Sequence, residues 1–248
     1  MSSPLQTNGG DAGGGGRKKN RVEVLFDGFS RLETGTALMH ANCTCTLVHG
    51  DGVKVIVDTM TAWDGPRILD ALADRNVSPD EITHVVATHG HSDHIGNLNL
   101  FLKARHIVGT SMNSHELYYD VLQNGNSLKL ADGIEVVPTP GHTASCVTLV
   151  VSNTDSGTVA VTGDLFEKRE DIYQPHIWEH LAGSEDPFRQ AENRQKVLRV
   201  ADRIVPGHGP MFEVLEEMRT LNEAHMRKIR GQYRTRHESR DTSENLSS

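Results

Sequence analysis

The sequence predicts a single α+β domain made of two strand-rich halves, with helices set between and after the strands. Three observations carry this. Short runs of apolar and β-branched residues recur along most of the chain, separated by turn residues. Only a few stretches repeat apolar residues at helical spacing. The 248 residues, at 36% hydrophobic content, suffice for one sizeable core, since chains split into domains only beyond about 250 to 300 residues.

Residues 1–20, with Gly9, Gly10 and Gly13 to Gly16, read as a flexible, disordered tail. It contains no apolar stretch of the kind a secretory signal needs, and Arg17-Lys18-Lys19 is at most a weak nuclear address. No run approaches the roughly 18 apolar residues of a membrane helix, so no membrane association is expected. The folded domain is placed at residues 21–231. Val22, Val24 and Phe26 alternate as a strand, and Cys45 to Val48 and Val53 to Val57 flank His49-Gly50-Asp51-Gly52 as a hairpin. The second of these strands is apolar at nearly every residue, as a strand buried on both faces would be, and it stops at Asp58. Asp64-Gly65-Pro66 opens a helix on which Ile68, Leu69 and Leu72 share a face.

Ile82 and Val85 to Ala87 form the strand that runs into Thr88-His89-Gly90-His91-Ser92-Asp93-His94. Leu98 to Lys103 reads as a helix and His106 to Val108 as a short strand. A hairpin about Asp132-Gly133 leads to Thr139-Pro140-Gly141-His142, and strands at Val147 to Ser152 and Thr158 to Thr162 end on Gly163-Asp164. Glu167 to Asp186 is a long polar surface segment, in which Tyr173, His176, Trp178 and His180 are candidates to line a substrate. Asp186-Pro187 caps a helix with Phe188, Ala191, Leu198 and Ala201 on its apolar side; the strand Arg203 to Val205 then ends on Pro206-Gly207-His208. An amphipathic helix from about Glu213 to Arg230 carries Val214, Leu215, Met218, Leu221 and His225 on one stripe, and residues 232–248 read as a disordered charged tail.

A net charge of −8 disfavours unspecific attraction to nucleic acid while leaving a local basic groove open. The three cysteines, Cys43, Cys45 and Cys146, are an odd number without framework spacing and read as reduced thiols of a cytosolic or nuclear protein. Cys43-x-Cys45 is most simply two small residues on one strand face.

The histidine stretch is a metal site by composition. Imidazole and carboxylate suit zinc, iron or manganese. His89 and His91 lie two apart, so on nearly extended backbone both reach one ion, while a bend after His91 offers Asp93 and His94 to a second. Strand or turn ends then supply Asp58, His142, Asp164 and His208. These residues, in this order, resemble the five motifs of the metallo-β-lactamase superfamily, over roughly Val22 to Pro210. The stretches Thr88 to Leu98 and Val205 to Pro210 are similar to those of one compact member of it.

The resemblance implies a four-layer αββα sandwich with two Zn2+ ions, iron or manganese being alternatives, at one edge. By position, His89, His91 and His142 would hold the first ion; Asp93, His94 and His208 the second; and Asp164 would bridge. Asp58 would orient the metal loop from behind, the kind of support that matters about 10- to 100-fold. Thr59-Met60 stands where many members have Thr-Gly, so the turn there is expected to differ. The implied activity is an endoribonuclease on single-stranded RNA, namely histone pre-mRNA near its 3′ end. Hydroxide formed between the cations would attack, and Asp93 would hold it or shuttle a proton. A homodimer in cytosol and nucleus is implied as well. Two alternatives stay open: a thioester or lactone hydrolase of glyoxalase II type, and a mononuclear iron dioxygenase for a thiol compound, using His89, His142 and Asp164 alone.

Overall fold

A computed structural model describes residues 18–36 and 38–244. One sheet has seven strands, in the order β1 (Arg21–Phe26), β4 (Cys45–Gly50), β5 (Val53–Val57), β6 (His84–Ala87), β7 (Arg105–Val108), β8 (Ser111–Ser114) and β9 (Leu117–Tyr119). Its middle, β5 to β7, is parallel. The other sheet has six, β10 (Leu128–Ala131), β11 (Ile134–Pro138), β12 (Val147–Thr154), β13 (Gly157–Gly163), β14 (Arg203–Pro206) and β15 (Phe212–Glu213), parallel only at β13 and β14. A separate hairpin is formed by β2 (Phe29–Leu32) and β3 (Met39–Asn42).

The layers follow from alternation along the central strands. Val55 and Val57 of β5 join Val86, Val136, Leu149, Val161 and Val205 in a core between the sheets. Ile56 points the other way, into a cluster with Leu47, Val85, Ile68 and Leu72 beneath helix α1 (Gly65–Ala73). In the second sheet Ala160 and Ile204 face outwards and pack with Val197, Leu198 and Met218 of α2 (Pro187–Val200) and α3 (Glu216–Glu244). Each such valine, leucine or isoleucine side chain withdrawn from water stabilises the fold by roughly 1.5 to 3 kcal/mol. The result is an αββα sandwich, and it explains why β5 is apolar on consecutive residues: both of its faces are covered. Among the described residues no helix is long and apolar enough to cross a membrane.

Several local expectations differ from the structure. Asn20 belongs to the fold, buried, with its amide donating to the carbonyls of Asp132 and Ser152 at 3.0 and 2.9 Å. The rest of the expected tail up to residue 17 lies outside the described residues. Leu98 to Lys103 forms only a 3-10 turn, Leu98–Leu100. So short a segment cannot offset the cost of helix nucleation, and Asn97 just before it is tied to Thr59 and Thr61 instead. On α1, Leu69 is exposed and Ala71 takes its place in the buried face. On α3, Leu221 is exposed while Asn222 is buried against α2. The helix also continues past Gly231 to Glu244, where the sequence reading places a disordered tail from residue 232. One glycine costs a helix about 1 kcal/mol, and no proline follows to stop it.

Candidate metal centre

The C-terminal ends of β5, β6, β11, β13 and β14 meet at one edge of the sandwich, and the turns after them carry the histidines and carboxylates. Asp58, directly after β5, takes a left-handed backbone (φ 57) and donates its N–H to the Val86 carbonyl at 2.9 Å. Its carboxylate thereby lies under the loop that follows β6. It accepts the Thr88 N–H at 2.7 Å and the Thr88 hydroxyl at 3.0 Å, and it contacts His94 Nδ1 at 2.9 Å. Met60 is also left-handed (φ 57). Methionine thus adopts the very conformation glycine favours, and its carbonyl accepts the Gly96 N–H at 2.9 Å. Gly96 is required there, since a Cβ would lie 2.4 Å from the Met60 carbonyl oxygen.

Of the four donor groups that result among the described residues, two hold the expected ligands. His89, His91, His142 and Asp164 form one and Asp93, His94 and His208 the other, the potential ligand atoms of each group lying within 4.8 Å of one another. Asp164 reaches both. Its Oδ2 is 3.5 Å from His89 Nε2, 3.4 Å from His142 Nε2 and 3.3 Å from His208 Nε2, while Oδ1 is 3.3 Å from His94 Nε2. Asp93 Oδ2 sits 3.8 Å from both His94 and His208. Partners behind the rings fix their orientation: Asp58 for His94, the Asn42 carbonyl for His208 at 3.1 Å, and the Thr88 hydroxyl for His89 at 3.2 Å. Nδ1 is thereby engaged in each and Nε2 is left facing inwards.

This arrangement fits cations. His89 Nε2, His94 Nε2 and Asp164 Oδ1 are buried and have no hydrogen-bond partner. Leaving such an atom unsatisfied typically costs about 1 to 3 kcal/mol, so these three, spread over the two adjoining donor groups that Asp164 joins, call for occupants that imidazole and carboxylate can bind. The charge state agrees for part of the set. Burial pushes the imidazoles of His89 and His142 below their ordinary range, towards the neutral form that has a lone pair to give. Burial opposes the carboxylate of Asp164, but His94, His208 and His89 outweigh it and hold the group well below the usual range. His94 is the converse: its burial is outweighed by Asp164 and Asp58, which raise it.

Above the donors opens a cavity of about 430 Å³, lined among others by His91, Asp93, Lys168, His176, Leu32 and Met39. Sequence reasoning missed three of its features. The β2–β3 hairpin that forms one wall gave too short an alternation to be seen. Glu167 and Lys168, directly after the Asp164 turn, also face the cavity; a charged run following a buried strand end was the available signal. Of the expected lining residues, only His176 reaches it. Tyr173 donates its hydroxyl to Glu217 at 2.7 Å, Trp178 is buried beneath α2 and α3, and His180 is exposed. The cysteines are free and buried, and burial pushes the Cys146 thiol up to about 11, which makes it a poor nucleophile.

The metallo-beta-lactamase superfamily profile matches residues 40–120. Metallo-beta-lactamase domain-containing protein 1 of Xenopus laevis is 43% identical over 204 residues, covering 79% of this chain and 82% of that protein. Its Homo sapiens counterpart is 45% identical over 171 residues, 66% of this chain, and the chain spans only 60% of that relative's length. Among solved structures, a candidate metallo-beta-lactamase of Thermotoga maritima superposes with a TM-score of 0.58 at 22% identity, over 79% of this chain and all of that one (100%), a likeness of fold. The sandwich, the donor set at its edge and these relatives together place the chain in the metallo-β-lactamase superfamily of metallo-hydrolases.

Proposed function

We propose that the chain is a zinc-dependent endoribonuclease that hydrolyses phosphodiester bonds of single-stranded RNA. The observation that carries the reading is Asp164, whose one carboxylate lies within 3.5 Å of imidazoles from both donor groups. A two-cation centre of this kind serves in-line displacement at phosphorus. Cations held by these residues would polarise a phosphoryl oxygen and acidify water to a pKa of about 7.

The chain's own groups supply the rest. Asp93, only partly buried at the cavity floor, accepts the proton of the attacking water and returns it to the departing oxygen. Lys168, whose Nζ donates to the Ser30 carbonyl at 3.2 Å, brings a cation to the cavity wall, where it pairs with a substrate phosphate. His176 offers a ring for a flanking base. Histone pre-mRNA is the substrate class we propose, with the enzyme working as a homodimer in cytosol and nucleus. The apolar members of the wall, Leu32, Met39 and Leu181, favour the second reading, an ester or thioester with an acyl chain.

The test pairs metal content of the purified chain with cleavage of labelled single-stranded RNA. Two zinc ions per chain and cleavage lost in His91→Ala support the nuclease. RNA left intact while a thioester or lactone is hydrolysed moves the assignment to the second reading, and a single iron with oxygen uptake moves it to a dioxygenase.

A further inference from the structure

We propose that Glu167 is a further donor to the group containing His208, and that it makes that half of the centre selective for a hard cation such as Mn2+. The proposal rests on the metal-centre reading above and sharpens it. Glu167 is almost fully buried, 2% exposed, yet its Oε1 has no hydrogen-bond partner. Its Oε2 lies 3.9 Å from His208 Nε2, and ligand atoms of Asp164, Glu167 and His208 all fall within 4.8 Å of one another. A buried carboxylate with one oxygen unpartnered and the other beside His208, within reach of two cation donors, has the chemistry of a third.

Its position is built rather than incidental. The Glu167 N–H donates to Asp171 Oδ2 at 2.7 Å, and its carbonyl accepts the His208 N–H at 2.8 Å. Asp171 is itself held by the buried guanidinium of Arg194, at 3.0 and 2.5 Å, and Arg194 also donates to the Leu165 carbonyl at 2.8 Å. The backbone at Glu167 is therefore fixed from both sides, with the side chain directed to the cavity that the donors floor.

The two halves of the centre then differ in chemistry. His89, His91 and His142 present three imidazoles, which suit zinc. In the other half His208 lies within reach of Asp93, Asp164 and Glu167, and His94 of Asp93 and Asp164, a carboxylate-rich set that suits manganese or magnesium.

The full chain, stripped with chelator and titrated separately with Mn2+ and Zn2+ by calorimetry and elemental analysis, tests this. The wild type is expected to take two equivalents of either ion. In Glu167→Gln the second Mn2+ is expected to weaken at least about tenfold, with both Zn2+ equivalents kept within about threefold, and the Mn2+ electron spin resonance spectrum to change. Glu167→Asp should shift Mn2+ binding the same way by less, and it decides the matter if the glutamine variant does not fold. Mn2+ binding unchanged in the substituted chain overturns the proposal, as does an equal loss of zinc. A wild-type chain that takes up no cation defeats the underlying metal-centre reading, a result distinct from the two chains binding alike.

Discussion

Asp58 and His94 meet 2.9 Å apart beneath the metal loop, the carboxylate delivered by one strand end and the imidazole by the turn after the next parallel strand. The same carboxylate accepts the Thr88 N–H, so it sets the ring and the start of the loop together. Asp58→Asn keeps the shape but removes the charge that holds the Nδ1 proton. Cation affinity of the His94 group is expected to fall about 10- to 100-fold, with the far-ultraviolet dichroism unchanged; titration of the stripped chain measures it. Affinity equal to wild type would leave Asp58 as a capping residue only.

Gly207 precedes His208 and approaches Asp164 so closely that an added Cβ would lie 1.9 Å from its Oδ1. Gly207→Ala must therefore displace the carboxylate that both donor groups share. We expect cation content to drop and hydrolysis to fall at least about tenfold, although residue 207 is no ligand. Elemental analysis beside a melting curve separates this from loss of fold.

Met60 sets two effects against each other. Replacing it with glycine relieves a left-handed residue, worth about 1 to 2 kcal/mol. The same change deletes a side chain only 2% exposed, packed with Ile68 and Phe101, a loss of about 2 to 5 kcal/mol for a buried methionine. Packing is the larger of the two at mid-range, and Met60→Gly is expected to destabilise the chain by about 2 kcal/mol, the difference of the two spanning roughly 0 to 4 kcal/mol. Urea unfolding at fixed metal concentration checks it; a more stable variant would mean that backbone strain dominates.

His84, on β6 away from the donors, gives a pH dependence with a definite sign. Burial, with Arg105 beside it, lowers its imidazole from 6.5 to about 4. The unfolded chain takes up this proton below about pH 6.5 and the folded chain only near 4. Its contribution is therefore fully present above 6.5 and lost as the pH falls through that window. In His84→Gln the stability profile should be shallower by one proton over this range, measured by denaturant titration at several pH values.

The donors were legible because each follows a strand whose own pattern is plain. Val53 to Val57 and Val85 to Ala87 could be placed by composition, and His89, His142, Asp164 and His208 then had to lie at strand or turn ends. The bridging reach of Asp164 was not legible from spacing, since it depends on two sheets packing face to face; the resemblance supplied it. Glu167 and Lys168 were hidden for a different reason. In a charged run nothing local marks the one carboxylate that turns inwards, and it does so because Arg194, far along the chain, holds Asp171. Leu98 to Lys103 misled because apolar spacing over six residues says nothing about whether Asn97 is free to start a helix.

His89, His91, Asp93 and His94 hang from the seven-stranded sheet and His142, Asp164 and His208 from the six-stranded one, and each donor group mixes the two. An ion bound there would rivet the sandwich shut. Neither half of the chain holds a working copy by itself, so cation uptake doubles as a gauge of whether the sheets have docked. By mass action, occupancy at 100 times the dissociation constant would add about 2.7 kcal/mol to the whole fold. Chelation should then lower the melting temperature of both sheets in a single step.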